Sequence, residues 1–136
     1  MLGLDIGNFS AVVAATGRAG TTVLPNRISN RETPALVAFD PAADERRTVG
    51  EAASTQSQSN PTGTIWCLKH FLGRTGSPQI SAGTKARWLP FKLVEDPSSG
   101  GHALQLPHSA DGRTVPVEAV LAPLLADCLR TAESAR

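Results

Sequence analysis

Residues 2–25, LGLDIGNFSAVVAATGRAGTTVLP, carry the reading that decides the fold. Residues 2–7 are apolar enough for a strand, 11–16 (AVVAAT) for a second and 21–25 (TTVLP) for a third. Gly17-Arg18-Ala19-Gly20 supplies the turn between the last two, so an antiparallel meander is expected. The first strand carries a carboxylate near its end, Asp5, followed by Gly7. A strand that only joined a core would gain nothing from that carboxylate. A strand ending in Asp-x-Gly before a tight turn can aim successive backbone N–H groups at an anion, because glycine removes the side chain that would block close approach. The donors expected are the amides of Gly7, Asn8, Phe9 and Ser10. Asp5 would repel a bound phosphate unless a cation intervened, so it is expected as an outer ligand of Mg²⁺ through water. A β-turn that uses Asp and Gly for turn chemistry alone is the plainer alternative.

Beyond the meander, ALVAF at 35–39 reads as a strand and its neighbour DPAADERR as a solvated loop. A polar helix is expected at about 51–59. Asn60-Pro61 then breaks the chain before a second helix at about 63–72, which would set Ile65, Leu68 and Leu72 on one face with Lys69 near its end. Residues 74–86 look like an exposed loop. WLPFKLVED, HALQLPHS and RTVPVE form three strand-like runs separated by Pro97-Ser98-Ser99-Gly100-Gly101 and by Asp111-Gly112. A closing helix is expected from about 116 to 134, with Val117, Val120, Leu121, Leu124, Leu125, Cys128 and Leu129 as a wide apolar stripe. Pro116 suits its first position; Pro123 falls inside, where proline costs up to about 3 kcal/mol unless packing compensates.

The 136 residues and 40% apolar composition suffice for the core of one domain, and the many glycines and prolines with few aromatics suit a β-rich or mixed α/β fold. Thirteen basic and 12 acidic residues leave a net charge of +1, which gives no electrostatic footprint for nucleic acid or an anionic membrane. No apolar run approaches the roughly 20 residues that cross a bilayer, and Asp5 interrupts the place of a signal peptide, so a soluble cytoplasmic chain is expected. Cys67 and Cys128 have no CxxC spacing and read as packing residues on apolar helix faces. His70, His102 and His108 lack metal-ligand spacing and are expected in surface or turn roles. Lys69, as a mobile point charge, could reach a transferring phosphoryl group; as a helix-terminal charge it would complement the helix dipole.

The ordered blocks LGLDIGNFSAVVAA, VLPNRISNRETPALVAF and RTVGEAASTQSQSNPTGTIWCLKHFLGR resemble the opening of the heat shock protein 70 chaperone ATPase. The similarity continues through WLPFKLVED and PVEAVLAPLLADCLRTAES. It implies an α/β, actin-like (ribonuclease H-like) nucleotide-binding fold. The chain would be part of its first lobe, with an inserted small subdomain at about 34–115. The resemblance also implies ATP or ADP with Mg²⁺, and chaperone or co-chaperone proteins as partners. Asp5 and Gly7 match the family's phosphate-loop aspartate and glycine, and Lys69 in CLKHFLGR matches its catalytic lysine. Asn8 and Phe9 stand where the main branch carries a pair of threonines, which is nearer the heat shock protein 110 branch.

The resemblance also implies that the second phosphate loop, the adenosine pocket and the peptide-binding domain lie outside these residues. ATP hydrolysis is therefore expected only of a two-lobed protein. It further implies that the closing helix packs on elements beyond this sequence, so an uncovered apolar face is expected to promote self-association. A non-catalytic interaction module is one alternative. A sugar or acetate kinase of the actin-like superfamily is another, against which TPALVAF and LKHFLGR count.

Overall fold

The computed structural model describes residues 1–77 and 88–135, and the expected loop at 74–86 lies partly outside them. The expected meander forms. Strands β1 (Leu2–Ile6), β2 (Ser10–Gly17) and β3 (Gly20–Val23) pair antiparallel in that order, with Leu4 opposite Val13 and Asp5 opposite Val12. A two-residue strand β4 (Thr33–Pro34) pairs with the start of β2. Strand β5 (Val37–Asp40) runs between β6 (Ala43–Val49) and β7 (Thr64–Ile65), both antiparallel to it. The three later runs form strands β8 (Lys92–Glu95), β9 (His102–Gln105) and β10 (Thr114–Pro116), with β9 in the centre.

Three expectations need correction. The charged run at 40–47 is not a loop throughout, because Ala43–Val49 is strand β6, with Val37 opposite Val49 and Phe39 opposite Arg47. Arg47 contributes to packing despite its charge: its guanidinium carbon lies 5.0 Å from the centre of the Phe39 ring. The polar helix at 51–59 shrinks to one turn, α1 (Glu51–Ser54), followed by successive turns. The hydroxyls of Thr55, Ser57 and Ser59 donate to the carbonyls of Ala52, Ser54 and Gln56, the local bonding by which such residues compete with a helix. The helix expected at 63–72 is absent. Thr64 and Ile65 belong to a sheet, Cys67 turns the backbone left-handed at φ 57°, and only a 3₁₀ turn, Leu68–His70, follows.

The closing helix, α2 (Val117–Ser134), forms as expected, with Pro116 at its N-terminal cap and Pro123 inside. Proline at 123 cannot donate to the carbonyl four residues earlier, that of Ala119. Arg47 Nη1 donates to that carbonyl instead, at 2.8 Å, so a guanidinium from β6 replaces the missing amide.

Helix α2 spans two apolar clusters. Its first half contacts β5, β6, β9 and β10 and buries Val117, Val120, Leu121 and Leu124 in one cluster with Val37, Phe39, Ile65, Leu93 and Leu104. Its second half packs Cys128 and Ala132 against Ala11 and Val13 of β2. The stripe is therefore mostly covered, contrary to the expected uncovered face; Leu125 is partly buried and Leu129 exposed. Of the two cysteines, Cys128 is buried on its helix face, whereas Cys67 is half-buried and lies on no helix. His102 is also corrected: it is fully buried in β9, its ring 6.1 Å from that of Phe71. Among the described residues no helix is long and apolar enough to cross a membrane.

Candidate functional site

The β1–β2 turn is built around a close backbone approach. Gly7 N–H donates to the Ser10 carbonyl at 2.8 Å, and a Cβ on Gly7 would lie 2.9 Å from that same oxygen. Glycine is therefore required by space, and its amide is engaged within the turn. The carbonyls on either side are also used: Asn8 accepts from Cys67 N–H at 3.3 Å and Phe9 from Ala35 N–H at 2.8 Å. The amides of Asn8 and Phe9 make no hydrogen bond to the described residues. Of the donors expected over residues 7–10, these two are unengaged at the tip of the turn. Asp5, two positions before Gly7, is exposed and has no ion-pair partner among the described residues. Ser10 begins β2, half-buried.

Lys69 is distant in sequence and adjacent in space. Its Nζ donates to the carbonyl of Ile6, the last residue of β1, at 3.3 Å. The left-handed turn at Cys67 makes this approach possible, because it docks the Cys67 amide on Asn8 and sets the 3₁₀ turn bearing Lys69 beside the strand end. The structure thus brings Asp5, Gly7, Asn8, Phe9 and Lys69 together, with Lys69 on a short turn in place of the expected helix.

Aromatic packing supplies a support that the sequence did not reveal. Phe9 is 72% exposed, yet its ring stacks on Trp66 with centroids 6.2 Å apart and 24° between planes. Trp66 in turn meets Phe91 edge-on at 6.2 Å. The rings of Phe9 and Trp66 border a cleft of about 350 Å³ beside the turn, shared with Asn8, Phe71 and Trp88. Asn8 Oδ1 is buried and accepts no hydrogen bond from the described residues. Nothing in the order Asn-Phe-Ser predicts a stack with a tryptophan 57 positions away, since neither residue belongs to a periodic pattern that would pair them.

Chemically the arrangement suits an anion accompanied by a hydrated cation. Two unengaged amides and one ammonium group can hold the anion's oxygens, and the Gly7 cradle keeps the surface open to them. A lone exposed carboxylate fits a metal held through its water shell. Among the described residues no group of three or more His, Cys, Asp or Glu side chains is placed to hold a metal directly.

The sequence matches the family described as Hsp70 protein over residues 1–136. It is similar to "Heat shock 70 kDa protein 16" of Arabidopsis thaliana, 33% identical over 134 residues, which is 98% of this chain and 17% of that protein. "Heat shock 70 kDa protein 4" of Rattus norvegicus is 34% identical over 134 residues, 98% of this chain and 15% of its own length. "Heat shock protein hsp88" of Neurospora crassa is 43% identical over 75 residues, 55% of this chain and 10% of its length. The chain thus spans less than a fifth of each of these relatives, and a match that runs from its first residue to its last places it in the Hsp70 family.

Proposed function

We propose that the chain is the phosphate-binding N-terminal part of a nucleotide-binding domain from a chaperone of the heat shock protein 70/110 type. In this reading the three-stranded meander and the second half of α2 belong to the first lobe of an actin-like, ribonuclease H-like fold. Residues 34–115, which supply most of the larger apolar cluster, form the inserted small subdomain. The observation that carries the reading is the convergence of Lys69 with Asp5, Gly7 and the unengaged Asn8 and Phe9 amides on one tight turn.

The ligand is ATP or ADP with Mg²⁺. Bound there, the metal would neutralise the charge of the phosphate oxygens. Asp5 would hold its water shell, the two amides would orient phosphate oxygens, and the Lys69 ammonium would exchange the Ile6 carbonyl for a phosphate oxygen. With Asn8 and Phe9 at the tip, no hydroxyl is available there for phosphate or metal, and the stack on Trp66 holds the turn in place of such contacts. This chain therefore binds phosphates as a half-site, and hydrolysis belongs to a protein that supplies the facing lobe. Its protein partners are chaperones or co-chaperones.

Calorimetric titration of Mg·ATP into the folded chain tests the reading. Binding with a Kd at or below about 1 mM is expected, weakened at least about tenfold by Asp5→Ala and by Lys69→Ala. A folded chain that gives no heat at millimolar Mg·ATP, or binding indifferent to both substitutions, would refute it.

A further inference from the structure

Nothing inside the β1–β2 turn fixes the direction of the Phe9 amide. Residues that flank a two-residue turn between antiparallel strands ordinarily exchange both N–H···O bonds. Here Gly7 N–H donates to the Ser10 carbonyl, but among the described residues no bond returns from Ser10 N–H to the Gly7 carbonyl. Asn8 and Phe9 are therefore the central residues of an open turn, and they are held from outside it.

Three contacts do the holding. Ala35 N–H takes the Phe9 carbonyl at 2.8 Å and fixes the peptide unit that leaves the tip. The unit before it, between Asn8 and Phe9, carries the Phe9 N–H. A planar trans peptide moves as one body with its N–H opposite its C=O, so whatever steadies the Asn8 carbonyl also aims the Phe9 amide. Among the described residues that carbonyl is taken by Cys67 N–H alone, at 3.3 Å, longer than the roughly 2.7–3.2 Å of a good N–H···O bond. A bond so long leaves the peptide plane room to rock. The third contact is the Phe9 ring, stacked on Trp66 with 24° between planes. Trp66 directly precedes Cys67, so two adjacent residues grip the turn, one by its ring and the other by its backbone amide.

Trp66 is itself anchored. Its ring meets Phe91 edge-on at 6.2 Å, an arrangement that the charge distribution of aromatic rings favours, and Phe91 is buried in the larger apolar cluster. A relay of three rings thus runs from the core to the tip of the turn. We infer, on the phosphate-binding reading proposed above, that Trp66 is a positioning residue for the phosphate site. It touches no ligand; by holding the Phe9 ring it keeps the Phe9 amide aimed at a phosphate oxygen.

Calorimetric titration of Mg·ATP and ¹⁵N relaxation, both on the folded chain, test this with four variants. Trp66→Leu removes the stack and should weaken binding about fivefold. Measured well below the thermal midpoint, where the folded fraction stays complete, a loss of stability alone leaves the Kd unchanged. Trp66→Phe keeps an aromatic plane and should restore the Kd to within about twofold of the parent. Phe9→Leu, which alters a mostly exposed side chain, should weaken binding as much as Trp66→Leu and gives the same answer if Trp66→Leu does not fold. The double variant should bind no more weakly than either single one, because both act through one contact. In the free chain the Phe9 N–H order parameter should be about 0.85 in the parent and fall below about 0.6 without the stack. Parent binding that is indifferent to loss of the stack, a Kd that Trp66→Phe does not restore, additive losses in the double variant or an unchanged order parameter would overturn the role of Trp66 and leave the phosphate-binding reading standing. A parent chain that binds no Mg·ATP would overturn both.

Discussion

Asn60 fixes the way into β7 through three contacts. Its Nδ2 donates to the Phe39 carbonyl at 2.7 Å, its own carbonyl accepts from Thr64 Oγ1 at 2.8 Å, and its side chain lies directly under Gly63. A Cβ on Gly63 would fall 2.5 Å from Asn60 Oδ1, too close for any side chain. Gly63→Ala should therefore displace Asn60 and destabilise the chain by about 1–3 kcal/mol, the usual cost of overpacking a well-filled site. Asn60→Ala should cost a similar amount by leaving the Phe39 carbonyl buried without a donor. In the double variant the cost should fall clearly short of the sum, because the two residues act through one contact; urea midpoints of the four proteins measure this. The sequence marks Asn60-Pro61 as a break in the chain but gives no sign of the partner across 21 residues. Asp5, Gly7 and Lys69 draw attention as candidates because glycine spacing and lone charges stand out from apolar surroundings. The left-handed backbone at Cys67 is not, since cysteine carries no preference for that conformation.

At the scale of elements, the Pro123 anomaly and the misread charged run have the same explanation. An arginine in a run of charges looks solvated, and a proline inside an apolar stripe looks disruptive, until Arg47 Nη1 is found on the Ala119 carbonyl that Pro123 leaves without a donor. A strand one residue away from a turn-rich segment shows too little alternation to be recognised, so β6 was legible only through its pairing with β5. The same ambiguity produced the helix expected at 63–72: Ile65 and Leu68 are buried as that reading requires, but from a strand and a 3₁₀ turn. Arg47→Met should cost about 1–3 kcal/mol in the parent chain, from the lost charge-assisted hydrogen bond and its packing on Phe39. In a Pro123→Ala background, residue 123 can donate to Ala119 itself, so the same substitution should cost less by roughly 1 kcal/mol. Equal costs in the two backgrounds, measured by denaturant titration, would show that the arginine does not serve the proline.

Across the whole molecule, α2 joins the cluster around Phe39 and Leu104 to the meander, so acid sensitivity in one part affects the stability of all. His102 is buried beside the larger cluster, its ring next to Phe71. Burial, then the charge of Arg74, lowers its pKa from 6.5, against smaller opposing effects of the Gly76 backbone, Glu118 and Glu95. The folded chain thus holds His102 neutral where the unfolded chain binds a proton, and stability must fall as pH drops below 6.5 toward the folded value. Asp96 acts in the same direction at lower pH. Hydrogen bonds from Ser99 Oγ at 2.6 Å and from the Ser98 amide and hydroxyl lower its pKa from 3.8. The stability it contributes is present above 3.8 and is lost as pH falls through the folded value. Reading His102 as a surface residue missed this, because a strand with buried residues on successive positions looks the same in sequence as one with a solvated face. The thermal midpoint should therefore decline in two stages on acidification, the first beginning near 6.5. His102→Gln, which keeps a polar side chain but does not titrate, should flatten the first stage and leave the second. A midpoint unchanged between pH 7 and 5 in the parent chain, or an equal decline in both proteins, would mean that His102 is not held neutral by its burial in β9.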